Sequence, residues 1–151
     1  MTKPAAPVAP VAPVDIRALL GRTRTIAVVG LSPQPHRISY GVSQYMLARG
    51  FKIVPVNPNT REVLGQKAYP TLAEAARHEK IDLVNVFRNA PDVPPVIDEA
   101  IAIGAPAVWM QLGILHEDAA AKGRAAGLEV VQDRCIMVEH SKLTKGAAAY
   151  F

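Results

Sequence analysis

The chain has 151 residues, half of them hydrophobic, and a formal net charge of +4. Its length suits one compact core rather than two ordinary domains, and no apolar run approaches the ~18 residues of a membrane-spanning helix. The 17 basic residues are spread along the chain without a polybasic run, which disfavours nucleic-acid binding and is compatible with a small anionic ligand.

The beginning of the chain repeats a Pro-Ala-Val theme over residues 1–13 and lacks the features of a secretory signal. Regular prolines block helix and ladder hydrogen bonds, so this segment is predicted to be a disordered tail. The domain itself is predicted over residues 14–143, followed by a short C-terminal tail at 144–151. The single cysteine, Cys135, excludes an intramolecular disulfide, and a cytoplasmic location is expected.

Apolar runs and helical patterns alternate along the rest of the chain. The helical patterns cover residues 14–20, 40–49, 72–78, 91–103 and 117–126. The apolar runs cover residues 25–30, 51–56, 81–87, 106–112 and 128–131. Ser39 and Thr71 are predicted N-caps of the second and third helices, residues 57–59 a turn, and residues 61–69 a polar connection.

The near-continuous apolar character of the strand-like runs is typical of parallel strands that are covered on both faces. Strands that alternate with helices at this rhythm form a parallel sheet through right-handed crossovers. The sequence therefore predicts an α/β fold, a Rossmann-like three-layer αβα sandwich with a five-stranded parallel sheet.

A polar or conformationally special loop follows each predicted strand. Ligands of open parallel sheets bind at the carboxyl ends of the strands, near the point where the strand order reverses. The five segments at those ends are residues 30–39, 57–60, 87–90, 111–113 and 132–135. Because they are expected to converge on one edge, this edge is the predicted ligand site.

The first of these loops has features suited to phosphates. Gly30 lacks a Cβ and permits the close approach of a ligand or of the chain itself. Ser32 and Ser39 offer hydroxyls, Arg37 a positive charge, and the following helix free N–H groups. Two prolines occupy positions where a dinucleotide enzyme has its further glycines, which disfavours a glycine-rich pyrophosphate cradle.

The end of the second strand argues against NAD. A typical NAD enzyme has an acidic residue there for the ribose 2′-hydroxyl, whereas this chain has Asn57 and no carboxylate before Glu62. NADP is less clearly excluded, since Arg37 or Arg61 could meet its extra phosphate. An NADP-dependent reductase therefore stays open as an alternative.

Five motifs together resemble a known family: VVGLSPQPHRISY at 28–40, PVNPN at 55–59, VNVFRNAPDVP at 84–94, AVWMQLGI at 107–114 and DRCIMVEH at 133–140. They are similar to the small stand-alone CoA-binding domains, which resemble the nucleotide-binding half of the succinyl-CoA synthetase alpha subunit. The resemblance covers residues 25–143. It implies that coenzyme A lies across the strand ends, with its phosphates near the first loop.

The resemblance also implies which residues contact the coenzyme. They are Gly30, Ser32, Arg37 and Ser39 at the phosphates; Asn57, Pro58, Asn59 and Thr60 at the adenosine; Phe87 and Arg88 in the middle of the groove; and Gln111, Leu112 and Gly113 beside the pantetheine. Where the synthetase has a lysine after the second strand, this chain continues as Asn59-Thr60-Arg61.

The expected function is a binding or regulatory module without catalysis. The synthetase's phosphohistidine belongs to a second domain that this chain is expected to lack, and the sequence has neither a Gly-x-x-x-x-Gly-Lys loop nor an evident acid–base pair. The four histidines show no metal-ligand spacing, so no metal site is predicted. A protein partner or a homo-oligomer remains open, as does the identity of any acyl group.

Cys135 supports one further alternative. It follows the last strand at the ligand edge, and the neighbouring Arg134 favours a thiolate, the form that attacks disulfides. A redox role, in which Cys135 forms a mixed disulfide with coenzyme A, is therefore weighed against simple burial of a small apolar side chain.

Overall fold

The structure is a computed structural model that describes residues 13–148, with side chains described through residue 145. Most of the predicted N-terminal tail lies outside the described residues. The strands are β1 (Thr25–Val29), β2 (Lys52–Val56), β3 (Glu62–Val63), β4 (Gln66–Lys67), β5 (Leu83–Val86), β6 (Ala107–Met110) and β7 (Glu129–Val131). The helices are α1 (Ile16–Arg22), α2 (Ile38–Ala48), α3 (Leu72–Ala76), α4 (Val93–Ala102), α5 (Glu117–Ala125) and α6 (Ile136–Ala148), and a 3-10 turn (Ala90–Asp92) precedes α4.

The main sheet has five parallel strands in the order β2-β1-β5-β6-β7. The predicted Rossmann-like α/β fold and its five-stranded parallel sheet are confirmed. The segment predicted as a polar connection instead contains the antiparallel hairpin β3–β4. Tyr69, two residues after β4, forms a bridge with Val56 of β2. None of the helices within residues 13–148 combines the length and apolar character needed to cross a bilayer.

Helices cover both faces of the sheet because its strands are apolar on both sides. Along β1, Ile26 and Val28 belong to the core under α1, α2 and α6, whereas Ala27 and Val29 belong to the core under α3, α4 and α5. Trp109 is fully buried in the first of these cores, and its indole Nε1 donates to the Arg134 carbonyl at 2.7 Å. Its predicted place in the core is confirmed.

The N-terminus of α2 differs from the prediction. Ser39 is not the N-cap, because α2 begins at Ile38 with Arg37 in the capping position. The Ser39 hydroxyl instead accepts the backbone N–H of Ser32 at 3.0 Å, which folds the preceding loop back onto the helix. The predicted cap of α3 is confirmed, since the Thr71 hydroxyl accepts the Glu74 N–H at 3.1 Å.

Helix α6 was not predicted and continues across the expected end of the domain at residue 143. It packs against α2 through His140, whose Nδ1 forms a hydrogen bond of 3.0 Å with the Tyr45 hydroxyl. The His140 and Phe51 rings also pack edge-to-face, with their centroids 5.5 Å apart. The last helix is therefore part of the domain, held to α2 by a half-buried histidine.

The protonation of His140 is expected to make the free energy of unfolding depend on pH. Burial, with the nearby Arg49 charge, lowers the pKa of His140 below its usual value of 6.5. The unfolded chain then binds the proton more readily than the native protein, so the free energy of unfolding falls as the pH drops below about 6.5. Urea titrations at pH of about 7.5 and 5.5 measure this loss.

The matched control for this titration is His140→Gln, which keeps a polar side chain beside Tyr45 but does not titrate. We expect the loss of stability between the two pH values to be smaller in the variant than in the wild type. Equal losses in the two proteins would show that His140 does not contribute.

Candidate functional site

The strand order reverses between β1 and β5. The chain leaves β1 toward α2 on one face of the sheet and leaves β5 toward α4 on the other. The two connections diverge and leave a crevice at the carboxyl ends of these strands, which is the ligand position of open α/β sheets.

A cavity of about 480 Å³ lies at this switch point. We call it the β1–β5 cavity, and its lining residues are Gly30, Ser32, His36, Arg37, Ile38, Ser39, Phe87 and Asn89. All four residues predicted at the phosphates line it together with Phe87, although the first loop and Phe87 are far apart in the sequence. Their predicted contacts with a ligand stay predictions.

Gly30 brings the two sides of this cavity together. Its φ is +86°, and a Cβ added to it would lie 2.4 Å from the Phe87 carbonyl oxygen. The same position is 3.5 Å from Nε of Arg88, so the Arg88 side chain lies over the first loop. The absence of a side chain at Gly30 therefore lets the backbone of Phe87 approach, rather than a ligand. This approach places Arg88 beside the first loop.

The two serines shape the loop around the cavity. Ser39 is buried and accepts the Ser32 N–H, while the Ser32 hydroxyl accepts the Gln34 N–H at 3.2 Å. Each hydroxyl still carries one proton to donate. The serines therefore hold the loop by accepting hydrogen bonds and keep a donor for a ligand oxygen.

Positive charge at this cavity is uncompensated. Arg37 and Arg88 are both exposed, and neither belongs to any ion pair found among residues 13–145. No side chain caps the first turn of α2, which begins beside Arg37. Since unpaired N–H groups at a helix N-terminus and free guanidinium groups both favour anions, this end of the crevice suits a phosphate.

Asn57 has a structural role that the sequence did not reveal. Its Nδ2 donates to the Leu31 carbonyl at 2.9 Å, and its Oδ1 accepts the Asn59 N–H at 2.9 Å. The side chain thus ties the loop after β2 to the loop after β1. Pro58 and Asn59 are exposed beside it, and the predicted contact of these residues with adenosine stays a prediction.

Gln111 likewise serves the fold. It is buried, and its Oε1 accepts the Ile136 N–H at 3.1 Å, which caps the start of α6. The Gly113 N–H donates to Oδ1 of Asp133 at 2.6 Å. Of the three residues predicted beside the pantetheine, Leu112 alone presents a free side chain, which is 70% exposed.

A second cavity, of about 580 Å³, lies at the carboxyl ends of β6 and β7, and we call it the β6–β7 cavity. Leu112, Leu115, Cys135 and Val138 are among its lining residues. Sequence reasoning missed Leu115 and Val138, since Val138 belongs to the unpredicted helix α6. Cys135 is half-buried and packs against the core under α1, α2 and α6.

The largest concavity of these three, about 670 Å³, lies at the opposite edge of the sheet. It is formed by the end of α3 and the segments that lead into β5 and β6, including Arg77 and Ile103. Amino ends of parallel strands are not where ligands of this fold class bind, so volume does not make this concavity the site.

Comparison with known proteins identifies the family. A family model described as a CoA binding domain matches residues 24–141. The chain belongs to the CoA-binding domain family. The resemblance inferred from the five motifs is confirmed. An uncharacterized protein of Bacillus subtilis, YneT, is 42% identical over 127 residues, which are 84% of this chain and 93% of that protein.

Solved structures share the fold of this CoA-binding domain. A hypothetical protein from Pyrococcus horikoshii is 36% identical with a TM-score of 0.83, over 95% of this chain and 99% of its own. An acetyl-coenzyme A synthetase from Ca. Korarchaeum cryptofilum, in complex with phosphate and ADP, is 25% identical with a TM-score of 0.63. That match covers 70% of this chain and 25% of the synthetase.

Proposed function

We propose that this protein binds coenzyme A or an acyl-CoA along the carboxyl edge of its sheet, as a binding or regulatory module without catalysis of its own. The observation that carries the proposal is the β1–β5 cavity at the switch point, which Arg37 and the uncapped N-terminus of α2 line and beside which Arg88 lies over Gly30. The family and the name of the synthetase relative both support coenzyme A as the ligand.

Coenzyme A suits this cavity because it carries a diphosphate and a 3′-phosphate on an elongated molecule. The Phe87 carbonyl fills the space over Gly30, so the diphosphate cannot settle against the glycine as in a glycine-rich cradle. Arg37, Arg88 and the first turn of α2 supply the contacts instead, through charge-assisted hydrogen bonds.

The lining of the β1–β5 cavity supports binding rather than turnover. It includes no carboxylate that would repel phosphates, and His36 is its single imidazole side chain. The arrangement therefore offers phosphate contacts without a paired general acid and base.

Calorimetry with coenzyme A tests the proposal. We expect saturable binding that weakens as salt is added, because exposed charges carry it. Dephospho-CoA, which lacks the 3′-phosphate, is expected to bind more weakly and with a smaller salt dependence. A dissociation constant of about 1 mM corresponds to a binding free energy of about −4 kcal/mol. The absence of heat with coenzyme A at that concentration would overturn the proposal.

The NADP-dependent reductase remains as an alternative for the same cavity. A thermal-shift assay separates the two ligands, since a ligand that binds only the native state raises its melting temperature. We expect coenzyme A to raise the melting temperature more than NADPH does at equal concentration. The reverse order would favour the reductase.

The mixed disulfide between Cys135 and coenzyme A also stays a prediction. The neighbouring guanidinium invoked from the sequence is engaged, since Nη1 of Arg134 lies 3.1 Å from the Glu139 carboxylate. On incubation with CoA disulfide, the Cys135 thiolate would attack one sulfur, form a disulfide with one CoA and release the other CoA as a thiolate. The intact mass would then show one CoA adduct, which is absent in Cys135→Ser. An unchanged mass excludes the reaction.

A further inference from the structure

We propose that the β6–β7 cavity receives an apolar acyl group of several carbons, carried by the thioester of the bound coenzyme. This inference rests on the proposed function, because it extends the same ligand along the same sheet edge. It names the class of acyl group that the family and its motifs leave open.

The first support is the position of the cavity. The sheet order places the carboxyl ends of β6 and β7 directly after that of β5, on the side away from β2. Adjacent strands are about 4.8 Å apart, so the β6–β7 cavity begins roughly one or two strand spacings from the phosphate end. A ligand that starts at the switch point and runs along this edge reaches the cavity, whose lining includes Leu112.

The second support is the exposed apolar surface. Only four large hydrophobic side chains among the described residues are strongly exposed, and three of them line this one cavity. These three are Leu112, Leu115 and Val138, with 70%, 51% and 43% of their surface exposed. They come from the loop after β6 and from α6, so the fold has gathered them from separate segments.

The third support is that the polar groups of the cavity already have partners. Asp133 accepts the Gly113 N–H, and Oε1 of Gln132 accepts the His116 N–H at 2.8 Å. The Glu139 carboxylate pairs with Arg134 and with Lys142, at 3.1 and 3.6 Å. Nη2 of Arg124 donates to the Val130 carbonyl at 3.3 Å. Apart from the free thiol of Cys135, the side chains left without partners are therefore the apolar ones, and an apolar ligand gains more here than a charged one.

The size of the cavity agrees with this occupant. Its volume of about 580 Å³ lies within the ~300–1,000 Å³ range of ligand pockets. A fully buried methylene tightens binding about fourfold. If each added methylene is only half buried in this open cavity, hexanoyl-CoA should bind about 15-fold more tightly than acetyl-CoA.

The experiment is a calorimetric series with coenzyme A and its acetyl, butyryl and hexanoyl thioesters. The wild type is expected to bind more tightly with each added pair of carbons. Leu115→Ser and Val138→Ser should flatten the series while free coenzyme A binds as before, since both side chains lie away from the phosphates. Ile103→Ser makes the same kind of change at a half-buried side chain in the concavity at the opposite edge and should leave the series unchanged.

Two outcomes would overturn the inference while the proposed function stands. One is equal affinity for all thioesters beside normal binding of free coenzyme A. The other is sedimentation that shows a wild-type dimer and a monomeric Leu115→Ser variant, which would make a second copy of the chain the occupant. If the wild type does not bind free coenzyme A, the proposed function itself is refuted.

Discussion

Replacing Gly30 with alanine is expected to lower the free energy of unfolding by about 3 kcal/mol or more and to abolish coenzyme binding. The backbone conformation, with a φ of +86°, disfavours any L side chain. The added Cβ also meets the Phe87 carbonyl oxygen at 2.4 Å. That carbonyl cannot retreat cheaply, because the Phe87 N–H is bonded to Val29 in the adjacent strand at 2.9 Å.

Gly50→Ala is the matched control for this change. Gly50 has a similar φ of +95°, but nothing lies within 4 Å of an added Cβ. We expect it to cost about 1 kcal/mol, the penalty of the backbone conformation alone. Urea unfolding compares the two variants, and equal losses would show that the contact with Phe87 adds no strain.

The sheet could be predicted from the sequence because its signals are local. Each strand of the main sheet is a near-continuous apolar run, and in the structure all four residues of β5 and all four of β6 are buried. The cap at Thr71 was predictable for the same reason, since its partner is the N–H of Glu74 three residues away. Patterns within a few residues indicate such features directly.

Other features depend on contacts that no local pattern encodes. Ser39 is of a residue type that favours N-caps, yet its hydroxyl accepts the Ser32 N–H and α2 starts at Ile38, two residues before the predicted start. Helix α6 is a different case, because Ile136 and Leu143 lie at helical spacing and the sequence therefore carries a local pattern for this helix. The boundary predicted at residue 143 was placed inside this helix.

The candidate site was predictable in outline, because the carboxyl edge of a parallel sheet identifies the loops. Which atoms of those loops are free was not predictable. Asn57 and Gln111 both looked like ligand contacts, but their side chains bind the backbone of Leu31 and Ile136, 26 and 25 residues away. Conversely, Leu115 and Val138 became visible only when the fold exposed them beside one cavity.

Charge reversal at the two unpaired arginines is the second prediction with a large effect. Arg37→Glu and Arg88→Glu should each weaken the binding of coenzyme A by about 10- to 100-fold, the value of a charge-assisted hydrogen bond to a phosphate. Both side chains are exposed and unpaired in the described part of the chain, so neither change should disturb the fold. Calorimetry at low and moderate salt measures the affinities, and the salt dependence should decrease in both variants.

Arg77→Glu makes the same change of net charge at the opposite edge of the sheet, where Arg77 pairs with Glu74 on α3 at 3.4 Å. If the arginines act by touching the phosphates, this control binds coenzyme A almost as the wild type does, because a charge at that distance is screened. If instead the net positive charge of the whole protein attracts the ligand, the three variants weaken binding to a similar extent. Equal effects in the three variants would therefore argue against phosphate binding at the β1–β5 cavity. A loss of affinity confined to the Arg37 and Arg88 variants would show that the phosphates bind in the crevice between β1 and β5.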